Sequence, residues 1–485
     1  RSVLDQRLAE LAAPGKRAEV AKSRADVLIS EIDTILRERQ ASALLVRDAS
    51  PLNPTLWARG WTTFTSSVLN TRNELLAGWN NQLQRAAFLK KMPAVVVLAT
   101  IGLVLLLLGR SWVMAVGDKL LSHRGTAQRW LLAFVLSLGQ LVLPLMGAIA
   151  LRTAIYQTEF VGLRLDPVLD AMFGGIFLLM MTLWIGGFIF SEKYETLRRF
   201  SLSAEQLRRA RRLVGWLGGV IAISYVLTAF ARFDNWSPSE SAVIYFPLII
   251  LGGVLLWRLG RMLRNHATQA VDPDGEEPVR YSDTMYGLFG RALVVVAYVG
   301  PVLAAVGYLE AAKMVVFQTI ETLMLLALVM IVQRVLAEVW VAIRRGNPEA
   351  RDGLVPTLAG FAVMLMAVPR FFSIWGTSDA RIALFWRQAG EGFVVGDTRI
   401  TPSTFLTFAI VFVGGYMLTR LVQGALKNTI LPKTKLDQGG RNAITAGVGY
   451  IGIFLAAIIA ITSAGLDLSS IAIVAGALSV GIGFG

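Results

Sequence analysis

Side chains able to carry chemistry are few and scattered in this sequence. It has no cysteine and only two histidines, His123 and His266, both in polar connecting stretches. A disulfide framework and a thiolate metal site are therefore excluded. The turn DPDGEE at 272–277 gathers acids as a calcium loop would. It lacks the full spacing and distal Glu of an EF-hand and reads as a solvated turn. No paired nucleophile and base and no phosphate-binding loop occur. Inside the apolar stretches, Arg291 and Glu321 lie near the ends, where snorkelling or pairing accounts for them, and Gln140 lies mid-stretch, placed for a hydrogen bond between helices. No enzyme chemistry, cofactor or bound metal is expected.

The spacing that stands out is apolar and lies at the end of the chain, in SSIAIVAGALSVGIGFG. On a helix of about 100° per residue, Val480, Ile473 and Phe484 share a front within about 40°. Val474, Leu478 and Ile482 gather at the back. Every residue on the flanks is small: Ala472, Ala475, Gly476, Ser479 and Gly483 on one side, Ala477, Gly481 and Gly485 on the other. A membrane helix with one partner needs one small face. Two small flanks suit a helix with close neighbours on both sides, as in a ring of identical parallel helices. The front then faces an axis. Rings of Val480 and Phe484 would form an apolar constriction that blocks ions by dewetting and opens when the ring widens. The alternative is a tightly packed central helix of a monomeric transporter.

The elements that must position this helix are themselves membrane helices. The 485 residues are 55% hydrophobic and 16% charged, with mean hydropathy +0.58, a balance that lipid must cover. Runs long enough to span a bilayer fall near 92–116, 130–155, 168–190, 213–231, 241–260, 288–309, 315–334, 355–372, 404–422, 446–463 and 471–485. The sixth and seventh, and the tenth and eleventh, are closely spaced. The predicted fold is an all-α membrane protein of about eleven transmembrane helices. Its net charge of +14 belongs to topology rather than nucleic acid. Loops after odd-numbered spans hold the basic clusters, such as Arg208, Arg209, Arg211 and Arg212 after the third. The other loops hold few, and the alternation never inverts. The positive-inside rule then puts the N-terminus outside the cytoplasm and the C-terminus inside, as in a multi-pass protein of a bacterial inner membrane.

Residues 1–91 read as an extracytoplasmic (periplasmic) helical domain of three or four helices, with helical spacing at Leu28, Ile32, Ile35 and Leu36 and a break at SPLNP, 50–54. Residues 92–403 hold about eight peripheral spans, and 404–485 form a module ending in the helix 471–485. The long loop 371–404 contains IALFWRQAGEGFVV, which suits an amphipathic interfacial segment or a packed surface loop. The chain starts at Arg1 without Met and stops at Gly485 inside an apolar run, as a piece of a longer chain would.

Over about residues 390–485 the sequence resembles a known family. GLDLSSIAIVAGALSVGIGFG is similar to the pore-lining helix of the small-conductance mechanosensitive channel (MscS) family. LPKTKLDQGGRNAITAGVGYIGIFLAAIIAITSAGLDLSS resembles the segments leading into it, and GFVVGDTRITPSTFL the approach to the inner helices of larger members. The many earlier spans resemble the large branch typified by the potassium-dependent mechanosensitive channel. The resemblance places the gate at Val480 and Phe484, the pair that the helical geometry selects, and the family's packing positions on Gly476, Ala477, Gly481 and Gly483, while Ile473 and Ala477 are expected to line the pore. Packing along the helix is expected at Ala472, Gly476, Ser479, Gly481, Gly483 and Gly485. Ser479 stands where the family has a glycine. The resemblance further implies a homoheptamer passing ions and small osmolytes under membrane tension, in contact with the lipid bilayer. It also implies a cytoplasmic β-containing domain after residue 485. A secondary transporter of a small solute is the competing expectation, although no clear internal repeat is visible.

Overall fold

The computed structural model describes residues 2–120, 126–190, 203–269, 281–344, 347–395, 398–434 and 437–465. These are almost entirely helical. The strands among them, β1 (Phe393–Val395) and β2 (Thr398–Ile400), form one antiparallel hairpin with Phe393 opposite Ile400. The chain divides into two compact units, Thr34–Thr377 and the combination of Arg1–Asp33 with Ser378–Gly485.

Among the described residues, ten helices are long and apolar enough to cross a membrane. They coincide with the first ten spans expected from hydropathy, and the eleventh, 471–485, lies outside the described residues. The closely spaced sixth and seventh spans are separate helices. The sixth is α8 (Tyr281–Val306), which ends at Gly307 with φ of +111°. The seventh begins as α9 (Leu309–Lys313), passes through a π-helical turn at Met314–Gln318 and continues as α10 (Thr319–Ile343).

The N-terminal region differs from expectation. One helix of 44 residues, α1 (Ser2–Leu45), precedes the break at 46–54. Then follow α2 (Thr55–Asn80) and α3 (Gln82–Leu120). The region thus has two helices of its own, not three or four. The position taken as its boundary, residue 91, falls inside α3, which carries its polar first turns straight into the first span. Leu28, Ile32, Ile35 and Leu36 are exposed on α1, so their helical spacing is real but covers no core.

In the unit Thr34–Thr377, consecutive spans pack as pairs. These are α3 with α4 (Thr126–Gln157), α5 (Leu165–Ile189) with α6 (Ala204–Phe233), α7 (Pro238–Gln269) with α8, and α10 with α11 (Leu354–Ile374). The segment joining each pair is one of the basic loops. Helices in lipid gain nothing hydrophobic from touching each other and associate where backbones can come close. Three of the pairs meet through small residues. A Cβ on Gly147 would sit 2.7 Å from the Gly102 carbonyl oxygen, one on Gly260 would sit 2.8 Å from that of Gly290, and one on Gly175 would sit 2.9 Å from that of Ala222. The α10–α11 pair is closed differently. Glu338, 4% exposed, pairs with Arg334 at 3.1 Å and with Arg351 of the connecting turn at 2.7 Å.

The main core gathers around α7, the most buried of the described spans. Val316, on the π-helical turn, is fully buried between Gly252 of α7 and Gly300 of α8. Helix α10 also touches α4, α5 and α6.

Gly307 joins the connector 46–54 to the end of α8. Its carbonyl accepts from the Asp48 N–H at 3.0 Å, and its positive φ suits glycine. A Cβ there would collide with the Asp48 carbonyl oxygen. Gly307→Ala should therefore lower stability by about 1–3 kcal/mol, read as a lower thermal midpoint in detergent. Gly219→Ala, where a Cβ meets nothing within 4 Å, should not lower it. Equal midpoints for the two variants would refute the strain. The Asp48 carboxyl is pushed above the usual carboxylate range by burial first and Glu310 second, against the pull of Lys313. Folding therefore favours its protonated form. That stability is present below the unfolded value of about 3.9 and is lost as pH rises through the higher folded value. Asp48→Asn should raise the thermal midpoint at neutral pH, and the gap should close as the pH falls below about 4.

Candidate functional site

All ten residues assigned to the pore helix lie in 466–485, outside the described residues: Val480, Phe484, Ile473, Ala477, Ala472, Gly476, Ser479, Gly481, Gly483 and Gly485. The acidic turn 272–277 and His123 lie outside them as well. What the structure describes is the scaffold leading to that helix.

The scaffold is α13 (Pro402–Ala425) and α14 (Gln438–Ser463). Thr401 caps α13, accepting from the Thr404 N–H at 3.0 Å, with Pro402 in the first turn, where its missing N–H costs nothing. A π-helical turn at Leu426–Ile430 and a 3-10 turn at Leu431–Lys433 end it. Asp437 caps α14 by accepting from the Gly440 N–H at 3.1 Å, and the Arg441 guanidinium donates to the Thr434 carbonyl at 3.0 Å across the connection.

The two helices meet along a stripe of small and polar residues. Gly415, Thr419 and Gln423 on α13 face Gly449, Gly452 and Ala456 on α14. A Cβ on Gly415 would lie 2.6 Å from that of Ala456, and one on Gly452 would collide with Thr419. Gln423 Nε2 donates to the Thr445 carbonyl at 3.0 Å. Four-residue spacing of small residues is the arrangement that brings membrane helices into close contact. The large side chains point away, with Phe405, Ile410, Met417, Tyr450, Phe454 and Ile459 exposed. Only 6% of the α13 window and 17% of the α14 window are buried within the chain. Helix α14 ends at Ser463, and Gly465 shortly after it has φ of +74°.

Ahead of this scaffold lies α12 (Asp379–Glu391), followed by the β1–β2 hairpin. The segment expected to be amphipathic is thus a helix whose last residues belong to a strand, and Phe385 and Trp386 are exposed on it. Three ion pairs tie α12 to α1. Lys22 meets Glu391 at 2.6 Å, Asp26 meets Arg387, and Asp33 meets Arg381 at 2.5 Å. Asp33 is 3% exposed and also accepts from Ser378 Oγ at 2.8 Å.

Tyr225 donates to Glu321 at 3.5 Å, and Arg370 lies close enough to act on Glu321 electrostatically. Arg164, in the α4–α5 connection, pairs with Asp234 at 2.6 Å and lies over the Phe233 ring. The sequence alone did not single out Glu338, whose only local signal is Arg334 four residues earlier. Gln140 is half-buried on α4 and Arg291 is exposed on α8. Among the described residues no cluster of His, Asp and Glu could hold a metal ion.

A family model described as a protein of unknown function (DUF3772) matches residues 15–72, which cover most of α1, the connector and most of α2. No curated protein matches the chain significantly. No solved structure does either.

The Asp33–Arg381 pair yields a test. Removing Arg381 leaves a buried carboxylate short of one partner, worth about 1–3 kcal/mol, and less than for a fully buried pair because Arg381 is itself 43% exposed. Arg381→Gln and Asp33→Asn should each lower the thermal midpoint. The double variant should lose clearly less than the sum. Strict additivity would show that the pair is not coupled.

Proposed function

We propose that this chain is a tension-gated channel of the small-conductance mechanosensitive type, assembled as a homo-oligomer, a heptamer by its resemblance, around the helix 471–485. The observation that carries the reading is the α13–α14 scaffold. Its helices grip each other by small residues and leave nearly all their large apolar side chains uncovered. Ten membrane-length helices then supply lipid contact, while the bulky-and-small layout of 471–485 suits a ring. Stretching thins the bilayer and changes the mismatch at the peripheral helices. The wider state occupies more area and is favoured by tension. Val480 and Phe484 separate, water enters, and ions and small osmolytes leave on hypoosmotic shock. The alternation of basic loops supports an orientation with the N-terminus periplasmic and the C-terminus cytoplasmic, as in a bacterial inner membrane.

A secondary transporter is the second reading. The π-helical turn at Met314–Gln318 and the Tyr225–Glu321 contact within the spans favour it, because interrupted helices and buried charges mark transport sites. Recording from excised patches under graded suction separates the two. Conduction that rises with tension supports the channel, and its absence favours transport. Phe484→Ser should raise the resting open probability about tenfold or more, the change produced by losing about 1.4 kcal/mol of closed-state preference. A variant as tightly closed as the native protein would count against the gate. Native mass spectrometry showing a monomer or dimer would exclude the ring.

A further inference from the structure

We infer that α2 is a membrane-interface helix whose tryptophan stripe is seated in the lipid leaflet opposite the basic loops. This rests on the placement of α2 and is independent of whether the protein conducts.

Helix α2 crosses the connections that link one span pair to the next. The connector before it binds Gly307, between α8 and α9: Asp48 N–H donates to the Gly307 carbonyl, and Ser50 Oγ donates to the Ala305 carbonyl at 2.6 Å. Ser67 accepts from Trp236 Nε1, between α6 and α7, at 3.0 Å. Glu74 accepts from the N–H of Arg164 and of Leu165, between α4 and α5, at 3.2 and 2.9 Å. These three connections all lie on the face opposite the basic loops.

The depth of α2 follows from the same contacts. A Cβ on Gly60 would meet the Val243 side chain at 3.1 Å. Val243 lies five residues inside α7, about 7 Å along its axis at about 1.5 Å per residue. Leu165 is the first residue of its own span. The helix therefore lies beside the ends of the spans, at the level where apolar chain gives way to polar, and not above them.

The exposed side is built for that level. At about 100° per residue, Trp57, Trp61, Val68, Leu75 and Trp79 fall within about 40° of one another. The buried Gly60, Ser67 and Gly78 lie about a quarter turn away. Trp61 is 67% exposed, and Trp57 and Trp79 are 43% exposed. Tryptophan concentrates at the boundary of lipid and water, where an apolar ring and a polar N–H are both accommodated. Arg72, also exposed, lies on the edge of the stripe, placed to reach a headgroup phosphate. After Asn81 the chain turns into α3, whose apolar surface is also largely uncovered, so the stripe is continuous with a surface that lipid must cover.

The absence of cysteine from the chain makes the test clean. Trp57→Cys, Trp61→Cys and Val68→Cys, with Ser66→Cys on the opposite side, are spin-labelled in the 485-residue chain. The labelled proteins are reconstituted in phosphatidylethanolamine–phosphatidylglycerol vesicles. Collision rates are measured with oxygen, which partitions into lipid, and with a water-soluble nickel chelate. The ratio of oxygen to nickel collisions at 57, 61 and 68 should exceed that at 66 several-fold, at a depth of about 5–10 Å. Ratios like that at 66 would place the stripe in water and overturn the inference. Low collision rates with both reagents would show a protein covering the stripe, and would overturn it equally.

Discussion

The structure depends on one constraint of the lipid environment. Apolar helices surrounded by apolar chains gain nothing from hiding their side chains, so any two of them stay together only where their backbones can approach. The contacts at Gly102 and Gly147, Gly260 and Gly290, and Gly415, Thr419 and Gly452 are places where side chains have been removed to allow this. Large residues are pushed to the outer faces as a result. The pairing of neighbouring spans, the slot that holds Val316 and the bare flanks of α13 and α14 all follow from it.

Polar interactions appear where the constraint relaxes, near helix ends. Glu338 with two arginines closes the α10–α11 turn, Arg164 with Asp234 joins two connections, and the carboxylates of α1 meet α12. Pairs with one exposed partner contribute modestly to stability. Their value lies in direction, because each fixes which end of one element meets which end of another.

Much of this architecture was legible in the sequence. Ten described spans fall where runs of apolar residues predict them, because hydropathy over about 20 residues is a local property. The break at SPLNP was equally local. The number of N-terminal helices was not, because nothing between residues 82 and 91 marks the point where a polar helix becomes a membrane span. The contacts of α1 with α12 could not be read either, since Asp26 and Arg387 are separated by 361 positions. Gly60, Ser67 and Gly78 look like ordinary helix residues until Val243, Trp236 and Phe160 are brought against them. The faces that helical periodicity assigns to 471–485 fall on residues outside the described ones.

The way the span pairs are linked has a mechanical consequence. Within Thr34–Thr377, each pair is closed by its own loop on the basic face. Neighbouring pairs are joined covalently on the opposite face, where α2 and its connector bridge three of the junctions. On the basic face neighbouring pairs meet by packing instead, as where Leu207 and Ala210 lie against Met262, Leu263 and Tyr286. In the channel reading proposed above, widening would then cost more on the α2 face, where the joins are covalent, than on the basic face. On that reading, tension in the two leaflets would not act on it equally. Amphiphiles that crowd one monolayer of such a channel would then act with opposite sign according to the side from which they enter.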